Sequence, residues 1–485
     1  MRLRVLLAPI VLALAAACAA APSTLAPAAP TLTLTDCVLS SPSSASQVDA
    51  RCGTLTVPED RAQPDGRQIT LRVAVVPAVS RSPEPDPVFL LAGGPGQAAT
   101  EAFSDLISAF EQINQDRDLV LVDQRGTGQS NPLRCLDPED ETVMDEAQLI
   151  AALKACPARL DADLRLYTTE IAMQDLDAVR AALGYARINL YGASYGTRAA
   201  QTYWRLYPDR VRAVVLDSVV DPAFRLLLDA SLDGQRALEL TLARCEADAA
   251  CQAAYPDVRA ELAAVLERLD AQPVDLAIAN PLTGAPLAFT LTRDILTSVI
   301  FNALYAPEFV ALLPLTIHTA YTDGNYAPLV AQAVSLDAGL YDGMFYAVAC
   351  AEDAPLITAA AAAAAAGPVF GDRTRTLREV CAAWPQGAVS ADFRAPIVSD
   401  TPALLLSGEA DPITPPKYAD VVARSLPNSL HLVAPGMGHG LLIRGCVDRL
   451  VKDFIAQGAL TGLDTTCVQA IQPPPFFVSF TGPRP

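Results

Sequence analysis

A β-strand with one face in water alternates apolar and polar residues, whereas a strand covered on both faces does not. Six short stretches of this 485-residue chain are dominantly apolar, at Val88–Leu91, Leu119–Val122, Ile188–Tyr191, Val211–Leu216, Ala403–Leu406 and Leu430–Val433. Each is therefore expected as a strand buried on both sides. Helical patterns lie between several of them, as at Glu170–Leu183, which follows Thr168 and Thr169 and stops at Gly184. Such alternation implies a parallel sheet covered by helices on both faces. Ile69–Val76 keeps a polar alternation and reads as an earlier, antiparallel strand.

The alternation breaks after Asp221-Pro222, and helical spacing dominates to about Arg394. Within it, Ala359–Ala366 is an eight-alanine run closed by Gly367 and Pro368, a plain helix segment. Strand patterns resume at Thr401. The sheet domain is thus expected to be discontinuous, formed by residues 36–221 and 399–475 around an inserted helical cap at 222–398, with a tail at 476–485. Hydrophobic residues make up 51% of the chain and charged residues 18%, enough for a large core and wrong for disorder. The net charge of -19 repels phosphate backbones and anionic lipid, which speaks against a nucleic-acid partner.

Arg2 and Arg4 precede an apolar run from Val5 to Ala17, the pattern of an export signal. Leu14-Ala15-Ala16-Ala17-Cys18 resembles a bacterial lipobox, which makes residues 1–18 a signal peptide and Cys18 the lipidated residue. Cleavage after an Ala-x-Ala near Ala19–Ala21 is the alternative. Residues 19–35 then read as a tether, and any membrane attachment runs through the lipid alone. Setting Cys18 aside leaves ten cysteines with no CxxC among them, so a cysteine metal site is unsupported, and neither metal nor cofactor is expected. They fall as close couples. Neighbour pairing joins Cys37 with Cys52, Cys135 with Cys156, Cys245 with Cys251, Cys350 with Cys381 and Cys446 with Cys467, one of the connectivities that ten cysteines allow.

Gly192-Ala193-Ser194-Tyr195-Gly196 matches G-x-S-x-G between an expected strand and an expected helix, the setting in which a strained turn exposes a nucleophilic serine. Ser194 needs a base, and the chain holds His318, His431 and His439. His439 lies in a glycine-rich loop just after the last strand and is the candidate. His431 falls inside that strand, and His318 among aliphatic residues of the cap. For the carboxylate that orients the base, Asp411 follows the strand at Ala403–Leu406, with Glu409 and Asp217 as competitors. Backbone donors for a developing oxyanion come from Tyr195 and from the Gly93-Gly94-Pro95-Gly96 turn near Gly94.

Taken in order, Gly93-Gly94-Pro95-Gly96, Asp123-Gln124-Arg125-Gly126-Thr127-Gly128-Gln129-Ser130, Gly192-Ala193-Ser194-Tyr195-Gly196-Thr197, Asp411-Pro412-Ile413-Thr414 and Gly438-His439-Gly440 resemble the motifs of the proline iminopeptidase and tripeptidyl aminopeptidase family of α/β-hydrolases. The resemblance runs over roughly residues 50 to 470. Ala92 stands where the family usually has a histidine, which is closer to its exported tripeptidyl branch. It implies an α/β-hydrolase fold with a helical cap and an exported serine exopeptidase that removes residues or short peptides from free amino termini. A carboxylic-ester hydrolase is the alternative, because the same triad performs either acyl transfer. Arg125 is expected to bridge loops rather than react. Glu352, with Asp353 as helper, is expected to bind the substrate ammonium from the cap.

Mass spectrometry of the mature amino terminus should find a diacylglyceryl cysteine at Cys18. An unmodified terminus a few residues downstream would leave a plain secreted protein.

Overall fold

Alternate residues of the central strands enter two separate cores. Phe89, Leu91, Val120, Val122, Val214 and Leu216 pack on one side, while Val88, Leu90, Leu119, Leu121, Ala213 and Val215 pack on the other. Both faces of these strands are covered, which is why their sequences carry so little polar alternation. The computed structural model describes residues 32–483 apart from 42–45, 137–143, 145, 282–283 and 335–338. The export signal, Cys18 and most of the tether lie outside the described residues.

The strands are β1 (Thr35–Ser40), β2 (Gln47–Pro58), β3 (Gln68–Val76), β4 (Val88–Leu91), β5 (Leu119–Val122), β6 (Ile188–Ala193), β7 (Val211–Asp217), β8 (Val274–Ala279), β9 (Pro286–Leu291), β10 (Ala403–Gly408) and β11 (Ser429–Ala434). Nine of them form one sheet in the order β1-β2-β3-β5-β4-β6-β7-β10-β11. The pairs from β1 to β5 are antiparallel, and every pair from β5 through β4 to β11 is parallel. β7 and β10 are neighbours in space although nearly two hundred residues separate them in sequence, so the cap is an excursion from one continuous sheet. Helices Thr169–Ala182 and Tyr195–Leu206 bury Met173, Leu176, Val179, Tyr203 and Trp204 on one face. Helix Val447–Gln457 buries Leu450, Val451 and Phe454 on the other.

The cap departs from the expectation in one respect. It contains the antiparallel pair β8 and β9, where mainly helices were expected. Val274–Ala279 and Pro286–Leu291 alternate between half-buried and exposed positions, a period of two that is easily lost between long helices. The alanine run forms helix Ala359–Ala365, and the Thr358 hydroxyl accepts the Ala361 N–H at 3.1 Å to cap it. The ten cysteines pair as neighbours: Cys37–Cys52, Cys135–Cys156, Cys245–Cys251, Cys350–Cys381 and Cys446–Cys467. Among the described residues, no helix is long and apolar enough to cross a membrane.

The loop after β5 is fixed from below. Arg125 is wholly buried and donates two bonds to Asp175, at 2.6 and 2.9 Å, and others to the Glu59 and Leu166 carbonyls. Asp123 accepts from the N–H and hydroxyl of Thr100 and from the Gln129 N–H, and burial pushes its pKa up to about 6 against those donors. Every Arg125 bond is thus to a structural partner, in keeping with a bridging role. Arg125→Ala should cost about 3 kcal/mol or more in chemical denaturation, because it leaves Asp175 and two carbonyls underpaired in the core. A loss below ~1 kcal/mol would mean that Arg61, the other cation on Asp175, suffices to hold the loop.

Candidate active site

Ser194 links β6 to helix Tyr195–Leu206 with φ 57° and ψ −125°, a backbone conformation disfavoured for a residue with a side chain. The turn closes only because its flanks are glycines. A Cβ on Gly192 would lie 2.3 Å from the Gly196 carbonyl oxygen, and one on Gly196 would lie 2.1 Å from that of Leu91. The Ser194 N–H donates to the Asp217 carbonyl at 2.9 Å, tying the turn to the end of β7.

Asp411 follows β10 and is fully buried. Its Oδ1 accepts the N–H groups of Ile413 and Thr414, both at 2.9 Å. Its Oδ2 accepts the Thr414 hydroxyl at 2.9 Å and faces His439 Nδ1 at 2.8 Å. Burial alone would raise the carboxyl pKa, but the charge and hydrogen bond of His439 and the two amides outweigh it and hold it below the ordinary value. For His439, burial disfavours the imidazolium, while the charge and hydrogen bond of Asp411, with Asp217 behind them, win and raise its pKa above 6.5. An ionised carboxylate can only accept, so Nδ1 carries the proton and Nε2 keeps its lone pair.

The histidine loop is held on two sides. The Gly440 N–H donates to the Ser218 hydroxyl at 2.8 Å, and the Leu441 and Leu442 N–H groups donate to the Asp217 carboxylate at 2.9 to 3.0 Å. From the cap, the Tyr305 carbonyl accepts the His439 N–H at 2.8 Å, and its ring meets the imidazole edge-on at 5.0 Å. β6, β7, β10 and β11 are consecutive in the sheet, so Ser194, Asp411 and His439 all stand at one edge of it.

The competitors have other duties. Asp217 binds Tyr191 and the histidine loop backbone, and Glu409 accepts the Gly436 N–H. His431 lies between Asp420 and Ser407, while His318 pairs with Glu261 in the cap. The Gly93 N–H is taken by the Gln97 side chain at 3.1 Å, whereas those of Gly94 and Tyr195 meet no acceptor among the described residues. Tyr195 opens its helix, where the first N–H groups lack partners within the helix. The cap braces this turn, since the Tyr341 N–H donates to the Gly96 carbonyl at 2.8 Å.

Glu352 and Asp353 are already engaged within the protein. Both are buried, with no side-chain surface in contact with solvent, and both are compensated internally. Asp353 takes two bonds from Arg198, at 2.8 and 3.0 Å, and one from Arg394 at 3.0 Å. Glu352 accepts the N–H and hydroxyl of Thr169, at 2.7 and 3.0 Å, and burial pushes its pKa up to about 7 against Arg198 and Thr169. A substrate ammonium would have to displace arginines already in place. The signal that could have revealed this is Arg198, on the helix that follows Ser194, a cation in the core that needs an acid partner. Sequence reasoning also passed over Tyr305, whose contact with His439 crosses from cap to core and leaves no local pattern.

The matches to known families fit this geometry. Residues 86–242 match the model described as "alpha/beta hydrolase fold", and residues 367–467 the one described as "TAP-like protein". The chain is an α/β-hydrolase. It is 28% identical to the tripeptidyl aminopeptidase of Streptomyces coelicolor, over 88% of this chain and 84% of that one. It is 26% identical to serine protease Hip1 of Mycobacterium tuberculosis, over 89% and 90%, and 28% identical to a protein named carboxylesterase B from the same species, over 86% of each. This α/β-hydrolase therefore has serine peptidases among its relatives over nearly its whole length. Among the described residues, no group of His, Cys, Asp and Glu could hold a metal ion.

Raising the imidazole pKa shifts the loss of its free Nε2 to higher pH. The His439 ring, followed by NMR, should titrate above 6.5, and any rate that needs it neutral should fall on acidification through that value. Asp411→Asn removes the charge that raises it and should move the titration down while lowering turnover by roughly 10⁴. An unmoved titration would mean that Asp411 does not govern the ring.

Proposed function

We propose that this α/β-hydrolase is an exported serine exopeptidase that removes residues or short peptides from free amino termini. Ser194 is the nucleophile, His439 the general base and acid, and Asp411 the carboxylate that fixes the imidazole. The observation that carries the reading is the buried Asp411–His439 pair at the same end of the sheet as the strained Ser194 turn. In the first half-reaction the Ser194 Oγ bonds to the carbonyl carbon and its proton passes to His439 Nε2. The oxygen that gains charge is met by the N–H groups of Gly94 and Tyr195. Collapse breaks the bond to the leaving amine, which takes the proton from His439, and leaves an acyl-serine. Water then repeats the sequence, giving its proton to His439 and releasing the acid and Ser194.

Peptide substrates are supported by the relatives named as tripeptidyl aminopeptidase and serine protease. Export is supported by the amino-terminal pattern and by five disulfides, which persist in oxidising compartments. The relative named carboxylesterase B favours the second reading, hydrolysis of carboxylic esters by the same residues.

Peptide anilides with free and with blocked amino termini, assayed beside simple aryl esters, separate the two readings. The exopeptidase cleaves the free-terminus anilides at least tenfold faster than the blocked ones, whereas an esterase prefers the aryl esters and ignores the terminus. Ser194→Ala should lower every one of these rates by several orders of magnitude with the fold unchanged by circular dichroism. Normal turnover in the folded variant would remove Ser194 from the mechanism.

A further inference from the structure

Arg373 of the cap is a cation without an anion. Its Nε is buried with no hydrogen-bond partner, and none of its nitrogens pairs with a carboxylate among the described residues. Its neighbours in sequence are engaged elsewhere, Asp372 with Arg378 and Thr374, and Thr374 with Asp372. The guanidinium lies over the ring of Phe301, 3.9 Å from its centroid, and burial lowers its pKa, with the Tyr305 phenol nearby acting in the opposite direction. Arg373 is half-buried, so its guanidinium has one face on the ring, a buried Nε without an acceptor and an open side on which an anion could complete it. Arg394, by contrast, is paired with Asp353 at 3.0 Å.

The place of Arg373 gives the missing anion a role. Phe301 packs edge-on against Tyr305, centroids 5.9 Å apart, and Tyr305 packs edge-on against His439 at 5.0 Å. Tyr305 itself is half-buried. In acyl transfer, the imidazole delivers its proton to the leaving amine, so a group packed against that imidazole lies near the path of the leaving group. We infer that Arg373 and the Tyr305 hydroxyl form an anion-binding subsite beside His439 that takes a carboxylate carried by the leaving portion of the substrate. The inference rests on the serine-hydrolase reading of the site and adds a substrate class to it. A guanidinium backed by a ring suits a carboxylate because it offers two parallel donors to two acceptor oxygens. That carboxylate is either the free carboxyl terminus of a short peptide or an acidic side chain just after the cleaved bond.

The test uses paired leaving groups of one shape. Peptides joined to 4-aminobenzoate are compared with the same peptides joined to 4-aminobenzamide, and acyl esters of 4-hydroxybenzoate with those of 4-hydroxybenzamide. Wild-type enzyme should show a KM roughly tenfold or more lower for the carboxylate member of each pair. Arg373→Gln should abolish that preference with kcat and the carboxamide KM changed less than about twofold, and Arg373→Lys should restore part of it. Equal KM values for the wild type, or equal losses on both members in Arg373→Gln, overturn the subsite. The wild-type comparison needs no variant to fold, and the ester pair reports on Arg373 even if no peptide is cleaved, so failure of the peptidase reading is distinguishable. A peptide with a free carboxyl terminus, its amide, and an amide with Glu after the cleaved bond then identify which carboxylate Arg373 receives.

Discussion

The carboxylate of Asp217, buried at the end of β7, joins the parts of this site that the chain itself keeps far apart. Its carbonyl receives the Ser194 N–H, and its side chain receives the Tyr191 hydroxyl and the N–H groups of Leu441 and Leu442. One residue thereby fixes the nucleophile turn and the histidine loop to the same strand end. Burial raises its pKa, and the amide and phenol donors oppose that rise. A neutral side chain of similar shape could not accept from so many donors at once, so the geometry depends on a charge kept in the core by hydrogen bonds.

Around this centre the cap is part of the site rather than a cover for it. It supplies the Tyr305 carbonyl that orients the His439 backbone, and the Tyr341 N–H that fixes the Gly94 turn. It is joined to the core by Arg198, on the helix behind Ser194, paired with Asp353 at the end of a cap helix. The Tyr195 hydroxyl bonds to Thr169, which in turn bonds to Glu352, so the residue after the nucleophile is held by the same cluster. Breaking one member of such a buried network strands the others, which is far more costly than the loss of one bond. The acids that the family resemblance suggested for substrate binding thus also join cap to core.

The sequence by itself determined the strands of the parallel sheet, the serine turn and its candidate partners, because each leaves a local mark. Burial on both faces removes polar alternation, a strained turn demands glycines on either side of Ser194, and a base must sit in a loop after a strand. Asp411 was chosen over Glu409 and Asp217 on the same ground, its place beyond a strand end. Tertiary structure decided which carboxylates are already paired and which cations are not. Glu352 and Asp353 look like free acids in the chain and are bonded by Arg198, Arg394 and Thr169 from elsewhere, while Arg373 looks like one more surface arginine and is left on a ring beside Tyr305. Charge compensation is a matter of contacts within a few ångströms between segments far apart in sequence, and those contacts decide whether the desolvation of a buried charge is offset. No spacing of residues along the chain encodes it.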